Sequence, residues 1–447
     1  MTQDPARIAA AVVVAAAYAL LCLAIAWRRL RGRRLAASGG PQGLLIAFAS
    51  QTGFGEELAR AAGAALAANG AAVQVAELGA IKAEELARWP RILFVVATTG
   101  DGDAPDPAAR FVRTVMSQSP DLSDVSVGVL ALGDRSYARF CAFGRRLDDW
   151  LTACGAQPLF PRIEVDAGDP DALAAWRKQV AVLQPGAAVA DLQAAPGTAW
   201  TLAARTLLNP DGAGDPVFRI VLEPPADAAA AWIAGDVAEL EAVLGGTAVR
   251  REYSIATLPQ DGRIELLVRV RRREDGQPGL MSGWLTQTAA IGASVLVRLR
   301  SNRSFHPPEG APPMVLIGAG TGLAGLRPHL RARRAAGLGD AWLIFGERTR
   351  AGDFLLADEV LGWRTDGVLS RLDLAFSRDA GDRRYVQDVL RAEADALRER
   401  IARGAVIYVC GSHHPMGAAV HATLAELLGD EALEDLLEAG RYRRDTY

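Results

Sequence analysis

Arg250-Arg251-Glu252-Tyr253-Ser254-Ile255-Ala256 is the stretch whose reading decides the fold. Tyr253, Ile255 and Thr257 alternate with smaller residues behind an arginine pair, the pattern of a β-strand running to Leu258. Arg251, Tyr253 and Ser254 supply a phosphate clamp, an aromatic face and a hydroxyl in close succession. Such a strand can seat a phosphorylated planar molecule. It can equally be an edge strand with a solvated arginine pair, and the segment alone does not choose.

The rest of the chain narrows the choice. Its 447 residues allow two or three domains with ample core. With half the residues hydrophobic and a net charge of −3, no bulk electrostatic argument points to nucleic acid. Arginine replaces lysine throughout, a bias too general to assign to a function. Cys22, Cys141, Cys154 and Cys410 are scattered without a C-x-x-C pair, so neither a disulfide framework nor a zinc site is expected. Reduced thiols in a cytosolic compartment fit that usage. His413-His414 has no second partner motif, and no metal is expected there.

Ile8 to Trp27 carries no charge and is long enough to cross roughly 30 Å of hydrocarbon. Arg28, Arg29, Arg31, Arg33 and Arg34 follow at once, which holds the C-terminal side in the cytoplasm. A secretory signal peptide would place its basic residues before the apolar run. The expectation is a single-pass anchor in the inner (cytoplasmic) membrane, with residues 1–42 forming anchor and basic linker.

Residues 43–184 read as an α/β domain. Leu44 to Ser50 is an apolar run typical of a strand buried on both faces. It breaks into S-Q-T-G-F-G-E-E before an Ala-rich helix, Glu56 to Gly70. Ser50, Gln51, Thr52, Gly53, Phe54 and Gly55 therefore form a strand-to-helix loop, whose hydroxyls and N–H groups suit one anion. No lysine is present, which excludes the G-x-x-x-x-G-K-S/T loop. Strands Val73 to Leu78, Ile92 to Thr98 and Val125 to Leu132 follow, and helix Asp169 to Gln184 closes the domain. The last two strands end in T-T-G-D-G-D (Thr98, Thr99, Gly100, Gly102) and L-G-D-R-S-Y-A-R-F (Leu132, Gly133, Asp134, Tyr137, Phe140). Ligands bind at the carboxyl ends of strands in open parallel sheets, so three loops converge on one site.

After a Gly/Ala/Pro-rich linker, residues 185–198, the period shortens. Closely spaced strands from Trp200 to Leu299 argue for an antiparallel barrel over residues 199–311. One helix interrupts it, introduced by Gly279, Leu280, Met281 and Ser282, whose glycine and serine again suit an anion. In residues 312–447, strand Met314 to Ile317 runs into G-A-G-T-G-L-A-G, containing Gly320, Thr321 and Gly322. The glycines satisfy the dinucleotide pattern, and Glu347 falls near the position of a ribose-binding acid, which would favour NAD. Downstream, Ser377, Arg378 and Arg383 can hold a 2′-phosphate, with Tyr385 stacked on adenine and Gln387 beside them, which favours NADPH. Cys410 ends strand Val406 to Cys410.

These motifs resemble the diflavin reductases, the family of cytochrome P450 reductase and the sulfite reductase flavoprotein. The first three loops are similar to flavodoxin FMN loops. R-E-Y-S and G-L-M-S resemble the FAD-binding segments of ferredoxin–NADP reductase-like proteins. G-A-G-T-G-L-A, F-G-E-R, S-R with R-R-Y-V-Q, and Y-V-C-G resemble the NADP-binding segments. The resemblance implies an α/β flavodoxin-like domain plus a ferredoxin–NADP reductase-like module (antiparallel β-barrel FAD domain and α/β NADP domain), preceded by one transmembrane helix.

Carried over, Tyr137 stacks on FMN with Phe140 nearby, while Thr99 stands where P450 reductase has a second aromatic. Arg251 and Ser282 bind FAD phosphate beside Glu252, and Tyr253 stacks on the FAD ring. Ser254, Cys410 and Asp445 surround the hydride path, and Tyr447 covers FAD until nicotinamide displaces it. Asp101, Asp103, Asp106 and Asp134 form an acidic rim able to attract a basic partner.

The implied activity is NADPH oxidation, with electrons passing to FAD, to FMN and then to a haem or other redox protein at the membrane. Sulfite reduction with a sirohaem subunit is an alternative favoured by the terminal R-Y-R-R-D-T-Y. Reduction of ferric chelates or quinones is another, and a non-enzymatic flavin-loaded module is a fourth. Two departures stand out. Ser412 replaces the family's aspartate after C-G, and only fourteen residues separate Asp236 from Arg251, where the family carries a large connecting domain.

Overall fold

The computed structural model describes residues 43–447 except 101, 136–138, 185, 187, 190–196, 227–230, 274 and 382. The segment read as a membrane anchor, Asp101 and Tyr137 lie outside the described residues. Among those described, no helix is long and apolar enough to cross a membrane.

The first sheet contains β1 (Leu44–Ala49), β2 (Val73–Glu77), β3 (Arg91–Ala97), β4 (Ser126–Gly133), β5 (Gln157–Pro158) and β6 (Ile163–Asp166). All pairings are parallel in the order β2-β1-β3-β4-β5, with β6 also on β4. β1 is buried along its whole length, as an unbroken apolar run requires of a strand covered on both faces. Phe94, Phe111 and Phe143 fill one face of the sheet, and Ile46, Leu93 and Trp176 the other. Strand order reverses between β1 and β3. The loops leaving those two strands therefore diverge and open a crevice.

The second sheet contains β7 (Thr198–Leu207), β8 (Val217–Glu223), β9 (Val237–Leu244), β10 (Thr247–Ser254), β11 (Ile264–Arg269) and β12 (Ser294–Arg300). It is antiparallel in the order β10-β9-β12-β7-β8-β11, around Trp200, Leu240, Leu266 and Leu285. β10 stops at Ser254, four residues short of the sequence expectation. Ile255 N–H turns to Asp236 O (3.1 Å), and Pro259–Asp261 forms a 3₁₀ turn. β9 and β10 are joined only by Gly245 and Gly246, at φ 60° and 82°, the positive values a two-residue hairpin turn needs. The connecting-domain position is thus a bare turn.

The third sheet contains β13 (Met314–Ala319), β14 (Ala341–Glu347), β15 (Leu369–Phe376), β16 (Val406–Gly411) and β17 (Tyr442–Thr446). It is parallel in the order β15-β14-β13-β16-β17, so the C-terminal strand is an edge.

Asp236 ties the barrel to the segment, Asn302 to His306, that leads on toward the third sheet. Its carboxylate accepts from Ile233 N–H (2.8 Å) and Asn302 N–H (3.0 Å), and pairs with His306 Nε2 (2.6 Å). Asp236→Ala would orphan two backbone donors. We expect a loss of roughly 2–4 kcal/mol, read as a lower urea midpoint in tryptophan fluorescence.

Candidate functional site

The flavodoxin loops are shaped by their own polar groups. Gly53 opens helix Phe54–Ala68 in the left-handed region (φ 80°) and, as a glycine, offers no capping side chain of its own. Ser50 Oγ accepts from Gly55 N–H (3.1 Å), bending the chain so that first-turn N–H groups border the loop. Thr99 Oγ1 donates to Ala104 O (3.3 Å) and pairs in the backbone with Asp103, closing T-T-G-D-G-D into a tight turn. Phe140 is buried with Ala131 and Cys141, and the Arg135 guanidinium lies 4.4 Å from its ring centre.

In the barrel, Ser282 Oγ accepts from Arg271 N–H (3.2 Å), fixing the turn at Gly279. Arg251 donates to Arg250 O (2.7 Å) and lies 3.7 Å from Asp134 of the flavodoxin domain. At the end of β10, Ser254 Oγ donates to Asp445 Oδ2 (2.7 Å), and Cys410 Sγ lies 3.6 Å from the same oxygen. Burial holds the Asp445 carboxyl above its usual range. Burial, reinforced by the Asp445 charge, pushes the Cys410 thiol well up, so it remains an uncharged donor.

The glycines of the dinucleotide loop also serve this cluster. A Cβ on Gly322 would lie 2.0 Å from Cys410 O, and one on Gly325 would lie 2.7 Å from Cys410 Sγ. Tyr447 OH is 2.9 Å from Thr321 Oγ1 in the same loop.

Glu347 does not stand ready for a ribose. It is buried, paired with Arg269 (2.5 Å), and accepts from Arg348 N–H (2.9 Å). The NAD-favouring alternative loses its residue to an ion pair. Ser377 and Arg378 leave β15 together, Arg383 bridges back to Phe376, and Tyr385 is exposed at the start of helix Val386–Ala392. Arg378 donates to Ala213 O (3.0 Å) across the barrel boundary.

The flavodoxin loops and barrel strand share one cavity of about 350 Å³, walled by Ser50, Thr52, Thr98, Leu132, Tyr253 and Tyr447 among others. Sequence reasoning missed what closes it. Arg300 pairs with Glu57 (2.5 Å), and Arg303 with Glu56 (3.1 Å). Arg113 reaches Glu434 of helix Asp430–Glu438 (2.7 Å). Arg444 Nε donates to Asp106 Oδ1 (3.0 Å), while His413 lies against Gly100 with Nε2 3.8 Å from Asp103. The acidic rim therefore faces this chain's own basic groups. No local pattern marks Arg300, His413 or Arg444, because their partners are hundreds of residues away. The residues suit two flavin nucleotides by their chemistry, a phosphate-ready loop on one side of the slot and an aromatic-bearing strand on the other.

Residues 46–177 match the flavodoxin family model, and residues 316–422 match that of the oxidoreductase NAD-binding domain. The sulfite reductase [NADPH] flavoprotein alpha-component of Vibrio parahaemolyticus is 28% identical, over 92% of this chain and 88% of that protein. The Yersinia enterocolitica counterpart is 27% identical, over 90% of each. The two domain matches and these relatives support the diflavin reductase family for this chain. The Vibrio alignment spans 547 positions, so at least 100 of them face no residue in this 447-residue chain.

Two measurements follow. Arg378→Ala should raise KM for NADPH on the order of tenfold or more while leaving KM for NADH nearly unchanged; steady-state kinetics with both nucleotides checks this. Glu252, facing Thr52 and cross-strand from Glu239, is pushed up to about 7 by burial and then by Glu239. Its ordinary value is 4.5, so the folded chain retains a proton that the unfolded chain releases. Stability should fall as pH rises from about 4.5 to about 7 and level off above. Glu252→Gln should flatten that profile in urea denaturation followed by tryptophan fluorescence.

Proposed function

We propose that this chain is an NADPH-dependent diflavin reductase that supplies a separate redox protein with single electrons. The observation that carries the reading is the Ser254–Asp445–Cys410 cluster at the end of the Tyr253 strand, beside a cavity shared with the flavodoxin loops. When bound, FAD supplies hydride acceptance from NADPH, and FMN supplies one-electron delivery. The chain's own part is positional. Ser377, Arg378 and Arg383 hold the 2′-phosphate end, and Gly320 and Gly322 admit the dinucleotide. Ser254, Asp445 and the un-ionised Cys410 thiol line the hydride path with fixed dipoles. Arg251 and Ser282 hold FAD phosphate, while Ser50 to Gly55 cradle that of FMN.

For the acceptor, the relatives' name favours a sulfite-reducing partner. The uncharged run from Ile8 to Trp27 with its following arginines instead favours a redox protein, a haem protein among them, at the cytoplasmic membrane face. The terminal R-Y-R-R-D-T-Y, which resembles that of the sulfite reductase flavoprotein, and the relatives' name weigh toward the first. The membrane-tethered reading, which the sequence alone put first, becomes our second.

Anaerobic stopped-flow mixing of the flavin-loaded chain with NADPH tests the core claim. Bleaching of both flavins, with Asp445→Asn slowing it on the order of 10²-fold, is the expected result. No bleaching would leave a flavin-binding module. Bleaching without subsequent reduction of any protein acceptor, but with rapid turnover of ferric chelates or quinones, would replace the redox-protein reading.

A further inference from the structure

β17 alternates like any strand, and its two faces serve different domains. Arg443, Asp445 and Tyr447 share one face. Asp445 meets Ser254 and Cys410, and Tyr447 meets Thr321 of the dinucleotide loop. Arg444 and Thr446 share the other. The Arg444 guanidinium pairs with Asp106, and Thr446 Oγ1 is 3.3 Å from His413 Nδ1, whose ring lies against the loop at Gly100.

β17 is also an edge strand, with β16 as its only sheet neighbour among the described residues. The carbonyl of Arg444 accepts from Gln51 Nε2 (2.9 Å), so the flavodoxin phosphate loop occupies part of the strand's open edge. Gln51 further joins this contact to Asp106, accepting from its N–H (3.1 Å) and so tying both flavodoxin loops to one strand. Docking of the flavodoxin domain and the geometry of the hydride site thus depend on consecutive residues of one short element.

We propose that Arg444 is a positioning residue, through which flavodoxin docking sets Asp445 and Tyr447 and so controls nicotinamide entry. The inference rests on the reductase reading above. While Asp106 and Gln51 grip the outer face, β17 is held with Asp445 on Ser254 and Tyr447 on the glycine loop. A nicotinamide entering that loop must part Tyr447 from Thr321, working against the same grip. Nicotinamide binding and docking are then reciprocally linked, each weakening the other by one factor. Loosening the grip should therefore separate two quantities. Nucleotide should bind more tightly, because Tyr447 yields more readily, while hydride transfer slows, because Asp445 is less well placed.

The test uses the whole flavin-loaded chain and Asp106→Asn, which touches no group of the hydride cluster in this structure. NADP⁺ affinity is read by calorimetry, and FAD reduction by stopped flow with NADPH and its C4-deuterated form. The expected result is an NADP⁺ Kd about fivefold lower, a hydride step slower by a similar factor, and a larger deuterium isotope effect. Arg444→Ala should behave alike, the double variant should add nothing further, and Arg444→Lys should restore part of the wild-type balance.

Wild-type values in Asp106→Asn would overturn the coupling. So would affinity and rate falling together, the mark of plain structural damage. If Asp106→Asn does not fold, the exchanged pair Asp106→Arg with Arg444→Asp asks the same question with the contact retained. A wild-type chain that neither binds NADP⁺ nor is reduced by NADPH would instead sink the reductase reading itself.

Discussion

One carboxylate oxygen, Oδ2 of Asp445, joins three parts of the chain. It accepts from Ser254 at the end of barrel strand β10 and neighbours Cys410 at the end of β16, while its own residue lies on β17. Placing a carboxylate at 9% exposure is costly unless its neighbours can donate. The partners here are an alcohol and a thiol rather than a guanidinium, and burial accordingly raises the Asp445 pKa. The site is therefore held by short neutral donors whose positions depend on three strand ends meeting. Gly322 and Gly325 follow from that demand. Any side chain at either would strike the Cys410 backbone or sulfur, so the dinucleotide glycines are as much packing residues for the hydride cluster as phosphate-loop residues.

The arginine bias, which composition alone could not assign, has a structural use. Arg300 is 4% exposed yet meets Glu57, Glu239 and the Phe54 ring at once. A planar guanidinium can engage carboxylates at its edges while stacking by its face, which a lysine ammonium cannot do. The docking face accordingly relies on Arg113, Arg300, Arg303 and Arg444, each reaching an acid in another domain. Exposed pairs of this kind contribute little singly. The better-buried Arg300 and Arg444 contacts dominate the preference for the docked arrangement.

What the sequence revealed was what is local. Every loop that binds through its own backbone, at Ser50 to Gly55, Thr98 to Gly102, Gly279 to Ser282 and Gly320 to Gly322, announces itself by glycines and hydroxyls at a strand end. β10 was legible as a strand but not where it stops, since Asp236, eighteen residues upstream, captures the next N–H. Glu347 has the spacing of a ribose-binding acid, but the downstream Ser377, Arg378 and Arg383 already favoured NADPH; Arg269, seventy-eight residues away, shows that the acid is paired. Arg300, His413 and Arg444 left no trace, because docking partners are set by tertiary approach rather than by periodicity. The acidic rim was legible as a surface seeking a basic partner, though not that the partner stood in the same chain.

The bare Gly245–Gly246 turn explains why so much rests on β12 and β17. Where a large insert separates these barrel strands, a third body is available to orient two flavin domains. Here that position offers a two-residue hairpin, and the linker enters β7 directly at Thr198. Orientation must then come from side chains on strands already committed to the cofactor sites. β12 provides Arg300 one residue before Ser301, whose carbonyl approaches the glycine at the mouth of the phosphate loop. β17 provides Arg444 next to Asp445. Economy of chain length thus places domain docking and cofactor geometry on adjacent residues, and a strand cannot move one without moving the other.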